Sequence, residues 1–171
     1  MKRNRGFSLV ELMVVIAILG IVTVGGFTLF LSVSSYRAKM AVKDIDLALS
    51  NTRMHAISKS DAWIRFDYVN DHYVLKTSYN PDTVLKGDFT LTYVTSAGDT
   101  FDPKTKPFVL TYDRSSGAFK DIKSSAAGGG SYTSMYGGTT PVYCSQIKIE
   151  KGSHTFIITL YPQTGKHVCE E

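Results

Sequence analysis

The sequence predicts an α+β fold in which one long N-terminal helix precedes an antiparallel β-sheet. Residues 12–36 carry no charge, and apolar residues then recur every three or four positions to about residue 58. From residue 63 onward the pattern changes to the alternation that is typical of half-buried strands. A helix with one apolar stripe, followed by strands in series, is expected to lay that stripe on the sheet.

The uncharged run is long enough to cross a membrane. Its 25 residues, from Leu12 to Tyr36, would form a helix of about 37 Å, against a hydrocarbon core of about 30 Å. The carboxylate of Glu11 lies at its N-terminal end, and Lys2, Arg3 and Arg5 precede it. Basic residues on that side predict a single pass with the N-terminus inside the cell.

Three explanations account for this N-terminus. A cleaved signal peptide has an apolar stretch of about 7 to 15 residues before its cleavage site, which is shorter than this run. A plain signal anchor fits the length but explains neither Glu11 nor the Gly6-Phe7 junction. The third explanation is a resemblance to a known family.

The stretch Lys-Arg-Asn-Arg-Gly-Phe-Ser-Leu-Val-Glu-Leu, residues 2–12, resembles the class III leader of type IV pilins and type II secretion pseudopilins. The resemblance implies that a prepilin peptidase cuts between Gly6 and Phe7 and methylates the new N-terminus, Phe7. The family's assembly glutamate, fifth after the cut, falls on Glu11.

The resemblance also implies a filament. Cleavage before the apolar run leaves a subunit that keeps its apolar helix, which can leave the bilayer only if other subunits replace the lipid. Heterologous contacts that do not close then build a helical polymer. In this setting Glu11 pairs with the amine of Phe7 on a neighbouring subunit, since a buried carboxylate is tolerable beside such a partner. The implied partners are prepilin peptidase, other pilin or pseudopilin subunits and the inner-membrane assembly platform, and the implied location is the cytoplasmic membrane followed by an extracytoplasmic filament.

The chain divides into a leader, a membrane helix and one globular domain. We expect residues 1–6 to be removed and residues 7–36 to form the transmembrane and assembly helix. Residues 37–171 then form a pilin-like domain of about 135 residues, enough for one compact unit. Within it, residues 37–58 continue the helix and residues 61–171 form the β-sheet region.

The second half of the helix is predicted to be amphipathic. Its apolar stripe consists of small and branched residues at three- and four-residue spacing: Ala38, Ala41, Val42, Ile45, Ala48, Leu49, Thr52 and Ala56.

Turn residues divide the remaining chain into strands and hairpins. Residues 63–69 and 72–77 flank Asn70-Asp71 as one hairpin, and residues 89–95 form a strand. Residues 108–112 and 118–122 are expected to pair around 113–117, and residues 146–150 and 154–161 around 151–153.

The formal charge of +4 comes mostly from the leader. Removing Lys2, Arg3 and Arg5 lowers the basic count from 19 to 16, against 15 acidic residues. DNA binding therefore lacks the excess of positive charge that it requires.

DNA capture nevertheless needs separate weighing, because some minor pilins of the FimT type bind DNA for uptake. Three lysines near the C-terminal hairpin could contribute, but neighbouring glutamates dilute them, so nucleic acid is not the favoured partner. These residues are Lys148, Lys151, Lys166, Glu150, Glu170 and Glu171. Two alternatives stay open: a DNA-capturing competence pilin, and a membrane-anchored binding domain that never polymerises.

The C-terminal part is most similar to the GspH/FimT type of pseudopilin and minor pilin. The similarity lies in residues 110–117 and 156–166, where a late strand runs into a turn with Gly165 followed by Lys166. Type IV pilins often carry a C-terminal disulfide, and an exported domain would pair Cys144 with Cys169. The alternative for the two cysteines is a pair of free thiols.

The sequence offers no catalytic, cofactor or metal motif. The four histidines, His55, His72, His154 and His167, have no ligand spacing with one another or with the cysteines. The acid pairs Asp99 and Asp102, and Asp67 and Asp71, lack the pattern of a calcium loop. We therefore expect no enzyme, no cofactor and no metal centre. Some pseudopilins bind calcium through a loop near the C-terminus, and Glu170 and Glu171 leave that alternative open.

Residues 124–140 interrupt the strand pattern. Glycine, serine and threonine dominate, with Tyr132, Met135 and Tyr136 interspersed. A flexible surface loop is the simpler interpretation, and a recognition surface the alternative.

Overall fold

The computed structural model describes residues 9–58, 61–125 and 132–170, except for the side chains of residues 24–34 and 125. One helix precedes eleven strands in this part of the chain, and every strand pairing is antiparallel. The predicted α+β class is confirmed. The elements are α1 Leu9–Ser58, β1 Trp63–Val69, β2 His72–Thr77, β3 Thr83–Leu85, β4 Thr90–Thr95, β5 Thr100–Phe101, β6 Phe108–Thr111, β7 Lys123–Ser125, β8 Tyr132–Ser134, β9 Cys144–Lys151, β10 His154–Tyr161 and β11 Lys166–Glu170.

The second half of α1 buries the predicted apolar stripe. Ala38, Ile45 and Leu49 have no exposed surface, and Ala41, Val42, Thr52 and Ala56 are also buried. Thr52 fits this face because its hydroxyl donates to the Ala48 carbonyl oxygen over 2.6 Å and lies 3.1 Å from the Tyr79 hydroxyl. The stripe is the surface that attaches the helix to the strands.

The strands form two sheets, where the sequence predicted one. The first has the order β3-β2-β1-β6-β7-β8, and the second the order β11-β10-β9-β4-β5. An aromatic stack joins them: the Phe108 ring of the first sheet lies 4.0 Å from Tyr93 of the second and 4.5 Å from Phe66 beside it. The core therefore lies where the two sheets and the C-terminal half of α1 meet.

The hairpin between β1 and β2 has the predicted boundaries. Val69 pairs with His72, so the loop is the two residues Asn70 and Asp71, with φ of 50° and 62°. Left-handed geometry at both positions gives the turn whose twist matches the flanking strands, and Asn and Asp tolerate it best after glycine.

The predicted hairpin around residues 113–117 is wrong in its second strand. Residues 118–122 contribute only the isolated bridge between Tyr112 and Phe119. The strand that pairs with β6 is instead β7, with Phe108 opposite Ser124. Phe119 and Ile122 are both buried, and this three-residue spacing does not fit the alternation of a regular strand.

The predicted loop at residues 124–140 is partly ordered secondary structure. Ser125 at the end of β7 pairs with Tyr132 at the start of β8, while residues 126–131 lie outside the described part. Tyr136 then donates a hydrogen bond of 2.7 Å to Asp99, and Met135 packs on the core. The described ends of this segment are thus attached to the domain.

Candidate assembly surface

The first turns of α1 expose apolar side chains on every face. Leu9, Ile16 and Ile21 are 75%, 61% and 75% exposed, and eight further large apolar residues between Val10 and Val22 are also exposed. Exposed apolar surface on this scale marks a surface that contacts lipid or protein.

Glu11 interrupts this apolar surface. It lies in the first described turn of the helix, and its side chain is exposed. A carboxylate near a helix N-terminus is favoured by the helix dipole, but the surrounding apolar side chains give it no polar neighbour of their own. Within the described part of the helix, Glu11 is thus an exposed charge among apolar side chains.

The other residues predicted for processing lie outside the described part of the chain. These are the leader, residues 1–6, and the junction formed by Gly6 and Phe7. Within the described residues, no helix combines the length and apolarity that a membrane crossing requires.

Polar contacts attach the second half of α1 to the C-terminal strands. The Arg53 guanidinium donates to the carbonyl oxygens of Gly117 and Thr164, over 3.2 and 2.9 Å. The buried Tyr112 hydroxyl donates to the Leu49 carbonyl oxygen over 3.1 Å, and burial raises the pKa of Tyr112. These contacts fix the direction in which the exposed half of the helix leaves the domain.

A groove of about 700 Å³ follows α1 on the side of β11. Asp46 and His167 both line it, and Asp46 Oδ1 lies 2.8 Å from His167 Nε2. Its lining also includes exposed apolar residues, Met54, Ile57, Tyr161 and Val168. This second apolar surface belongs to the globular domain, and it lies on the same helix as Glu11.

The predicted disulfide is not present. Cys144 and Cys169 are both free, the first buried on β9 and the second exposed on β11. Strand β10 lies between β9 and β11, so their backbones are about 9.5 Å apart. A disulfide requires Cα atoms within about 7 Å. Cys169 Sγ instead lies 3.6 Å from Asp46 Oδ1.

The histidines are dispersed. His55 stacks on the Tyr79 ring at 4.1 Å, His167 meets Asp46, and His72 and His154 are exposed at strand ends. Among the residues that the structure describes, no cluster of three or more His, Cys, Asp or Glu side chains could hold a metal ion.

The acid pairs have local partners. Asp67 pairs with Arg65 at 2.7 Å and with Lys76 at 3.6 Å. Asp102 accepts the backbone N–H of Lys104, and Asp99 accepts the hydroxyl of Tyr136. These contacts stabilise turns and strands.

The three lysines considered for DNA binding do not form one patch. Lys151 is paired with Asp88 at 2.7 Å. Lys166 lines the groove beside α1, and Lys148 lies in the middle of β9, opposite Ile157.

Comparison with known proteins identifies the N-terminus. The prokaryotic N-terminal methylation motif matches residues 1–27. No curated protein and no solved structure matches the chain. The motif supports a type IV pilin-like precursor that is anchored in the membrane, processed by prepilin peptidase and assembled with other pilins.

Proposed function

We propose that this chain is a minor pilin or pseudopilin, a structural subunit of a type IV pilus or a type II secretion-like filament. The role is mechanical and not enzymatic. The observation that carries the proposal is the exposed apolar surface from Leu9 to Val22 with the single carboxylate of Glu11, inside a methylation motif. An exposed apolar helix on a folded domain requires a covering, first lipid and then neighbouring subunits.

The proposed sequence of events begins with insertion of the helix into the cytoplasmic membrane, with Lys2, Arg3 and Arg5 on the cytoplasmic side. Prepilin peptidase then cuts between Gly6 and Phe7 and methylates Phe7. The new amine pairs with Glu11 of a neighbouring subunit, which removes the penalty of leaving that carboxylate unpaired among apolar helices. Helix packing then drives assembly, and the groove beside α1 is available to the adjacent globular domains.

Substitution at Glu11 tests this proposal. We expect Glu11→Val to reduce the amount of subunit in sheared filaments by about tenfold or more, because a charge-assisted pair of about 1.5–3 kcal/mol is lost. Gly6→Val should block cleavage and abolish assembly. The measurement is an immunoblot of the filament and membrane fractions, with intact mass giving the N-terminus.

Glu150→Gln is the matched control, since Glu150 is an exposed glutamate on β9 and should assemble normally. Normal assembly of both Glu11→Val and Gly6→Val would disprove the filament role. An uncut N-terminus beginning at Met1 in native cells would favour the alternative, a membrane-anchored binding domain.

A further inference from the structure

A second cavity, of about 510 Å³, opens where the end of α1 meets the first sheet. Its lining includes three cations, three aromatic residues and one acid, and we call it the cationic pocket. Its lining comes from α1, β1, β6, β7, β8 and the turns between them: Ala56, Asp61, Ala62, Trp63, Thr111, Tyr112, Arg114, Lys120, Lys123 and Tyr132.

The pocket carries uncompensated positive charge. Arg114, Lys120 and Lys123 outnumber the one acid, Asp61. None of these three cations has an ion pair with a carboxylate among the residues that the structure describes, whereas Arg65, Lys76 and Lys151 elsewhere do. Three unpaired cations around one cavity attract an anion, and the forked guanidinium of Arg114 suits a planar carboxylate.

Two aromatic rings form one wall. The centroids of Trp63 and Tyr132 are 5.7 Å apart and their planes are inclined by 58°. Both side chains are half-buried, so each has a face available to a ligand. The backbone of Trp63 is fixed by its pairing with Thr111 of β6.

The pocket also contains a buried polar atom without a partner. The hydroxyl oxygen of Thr111 is buried and makes no hydrogen bond within the described chain. Buried hydroxyl groups are normally paired, and one that is not signals a missing partner. A ligand hydroxyl would complete this site.

We propose that the cationic pocket binds an acidic saccharide, a sugar unit that carries a carboxylate. The cations bind the carboxylate, an aromatic face packs on the C–H face of the sugar ring, and Thr111 and Asp61 bond to ring hydroxyls. Asp61 repels any anion beside it, so the ligand's own carboxylate lies at the cations and its hydroxyl groups at Asp61. A saccharide offers many such hydroxyl donors, whereas a nucleic acid offers few of them and carries a phosphate at every nucleotide. This binding activity is additional to filament assembly and does not depend on it.

The protein carries its own reporter for this site, because Trp63 is its only tryptophan. The full-length protein in detergent is titrated with trigalacturonate, and the fluorescence of Trp63 is followed. We expect a saturable change, and binding weaker by about tenfold or more for the methyl ester, which lacks the negative charge.

Three variants locate the ligand. Lys120→Gln and Lys123→Gln should each weaken binding several-fold, whereas Lys86→Gln, which removes an exposed charge at the end of β3, should not. Thr111→Val keeps the shape and removes the unpaired hydroxyl. It should weaken binding and leave the thermal midpoint unchanged or raised, an outcome that a purely structural role would not give.

Equal binding of the acid and its ester, or no change in fluorescence with either, would overturn the proposal. A single-stranded oligonucleotide that binds more tightly than trigalacturonate, and loses affinity in the same lysine variants, would also overturn it and assign the pocket to nucleic acid. Filament yield in these variants is measured in parallel, so failure here is separable from failure of the assembly role.

Discussion

The two cysteines have opposite environments. Cys144 is fully buried, and burial raises the pKa of its thiol. Cys169 is exposed, but partial burial, together with the charge and hydrogen bond of Asp46, raises the pKa of its thiol to about 11. Cys169 is accessible, but it should react slowly at neutral pH, because the thiolate is the reactive form and little of it is present.

We expect Asp46→Asn to accelerate the alkylation of Cys169. Loss of the carboxylate lowers the pKa of the thiol, so more thiolate exists at any pH below that value, and the rate at pH 8 should rise several-fold. The measurement is the mass of the folded protein after timed exposure to iodoacetamide.

Cys144 is the internal control, because it should react only after denaturation. In the absence of reductant, denatured protein should take up two labels. A denatured chain that takes up none would contradict the free cysteines and restore the disulfide.

The sequence predicts some properties of individual residues and not others. Glu11 was predicted to act in assembly from its register with the junction and the apolar run, which is local information, and this role stays a prediction. The pairing of Cys144 with Cys169 depends on the order of strands in a sheet, and β10 lies between their strands. The cations of the pocket were also missed, because Arg114, Lys120 and Lys123 are brought to Trp63 only by the pairing of β1, β6 and β7.

Two turns and the helix meet at one point. The turn at residues 113–117 is held by Asp113, which accepts hydrogen bonds from Ser115 and Ser116, and these bonds lower the pKa of Asp113. Gly117 at its end approaches Gly165 in the turn between β10 and β11, and the Arg53 side chain bonds to both turns. The contact fixes β11 relative to α1.

We expect Gly165→Ala to destabilise the domain by about 2–5 kcal/mol. Gly165 has φ of 65°, which costs an L-residue about 1–2 kcal/mol, and its Cβ would overlap the carbonyl oxygen of Gly117, a backbone clash that adds about 1–3 kcal/mol. Urea denaturation of the full-length protein in detergent measures the loss.

Gly152→Ala separates the two effects. Gly152 has nearly the same φ, 60°, but a Cβ there meets nothing within 4 Å. Gly152→Ala should therefore destabilise the domain only by the cost of placing an L-residue in the left-handed region, about 1–2 kcal/mol. Equal destabilisation by the two substitutions would show that the contact between the turns contributes nothing.

Secondary-structure elements could be predicted where residues close together in the sequence determine them. The β1–β2 hairpin was placed correctly because Asn70 and Asp71 determine the turn. The short strands β3, β7 and β8 have three residues each, too few for alternation to show. β3 and β7 are strands because the longer strands β2 and β6 pair with them, and β8 pairs in turn with β7. β11, with its charged residues, is likewise defined by its register with β10.

In the described part of the chain, the folded domain begins at about residue 36. The core begins at Ala38, and all buried residues of the described chain lie beyond that point. The side chains described between Leu9 and Val22 are exposed, so they contribute no burial to the domain.

We therefore expect residues 36–171 to fold without the N-terminal half of the helix. The thermal midpoint should differ from that of the full-length protein in detergent by less than about 4 °C, because less than about 1 kcal/mol is removed. Circular dichroism over a temperature ramp measures it.

A fragment that begins at Ser50 is the comparison. It lacks Val42, Ile45 and Leu49, whose burial stabilises the domain by about 5–9 kcal/mol, a sum comparable to the total stability of a domain, about 5–15 kcal/mol. It should show no cooperative transition. If the fragment from Tyr36 also failed to fold, the apolar half of the helix would be part of the domain's stability as well as its assembly surface. Cooperative folding of both fragments would mean that the two sheets are stable alone, and that the helix is held by Arg53 and Tyr112 without being needed for the core.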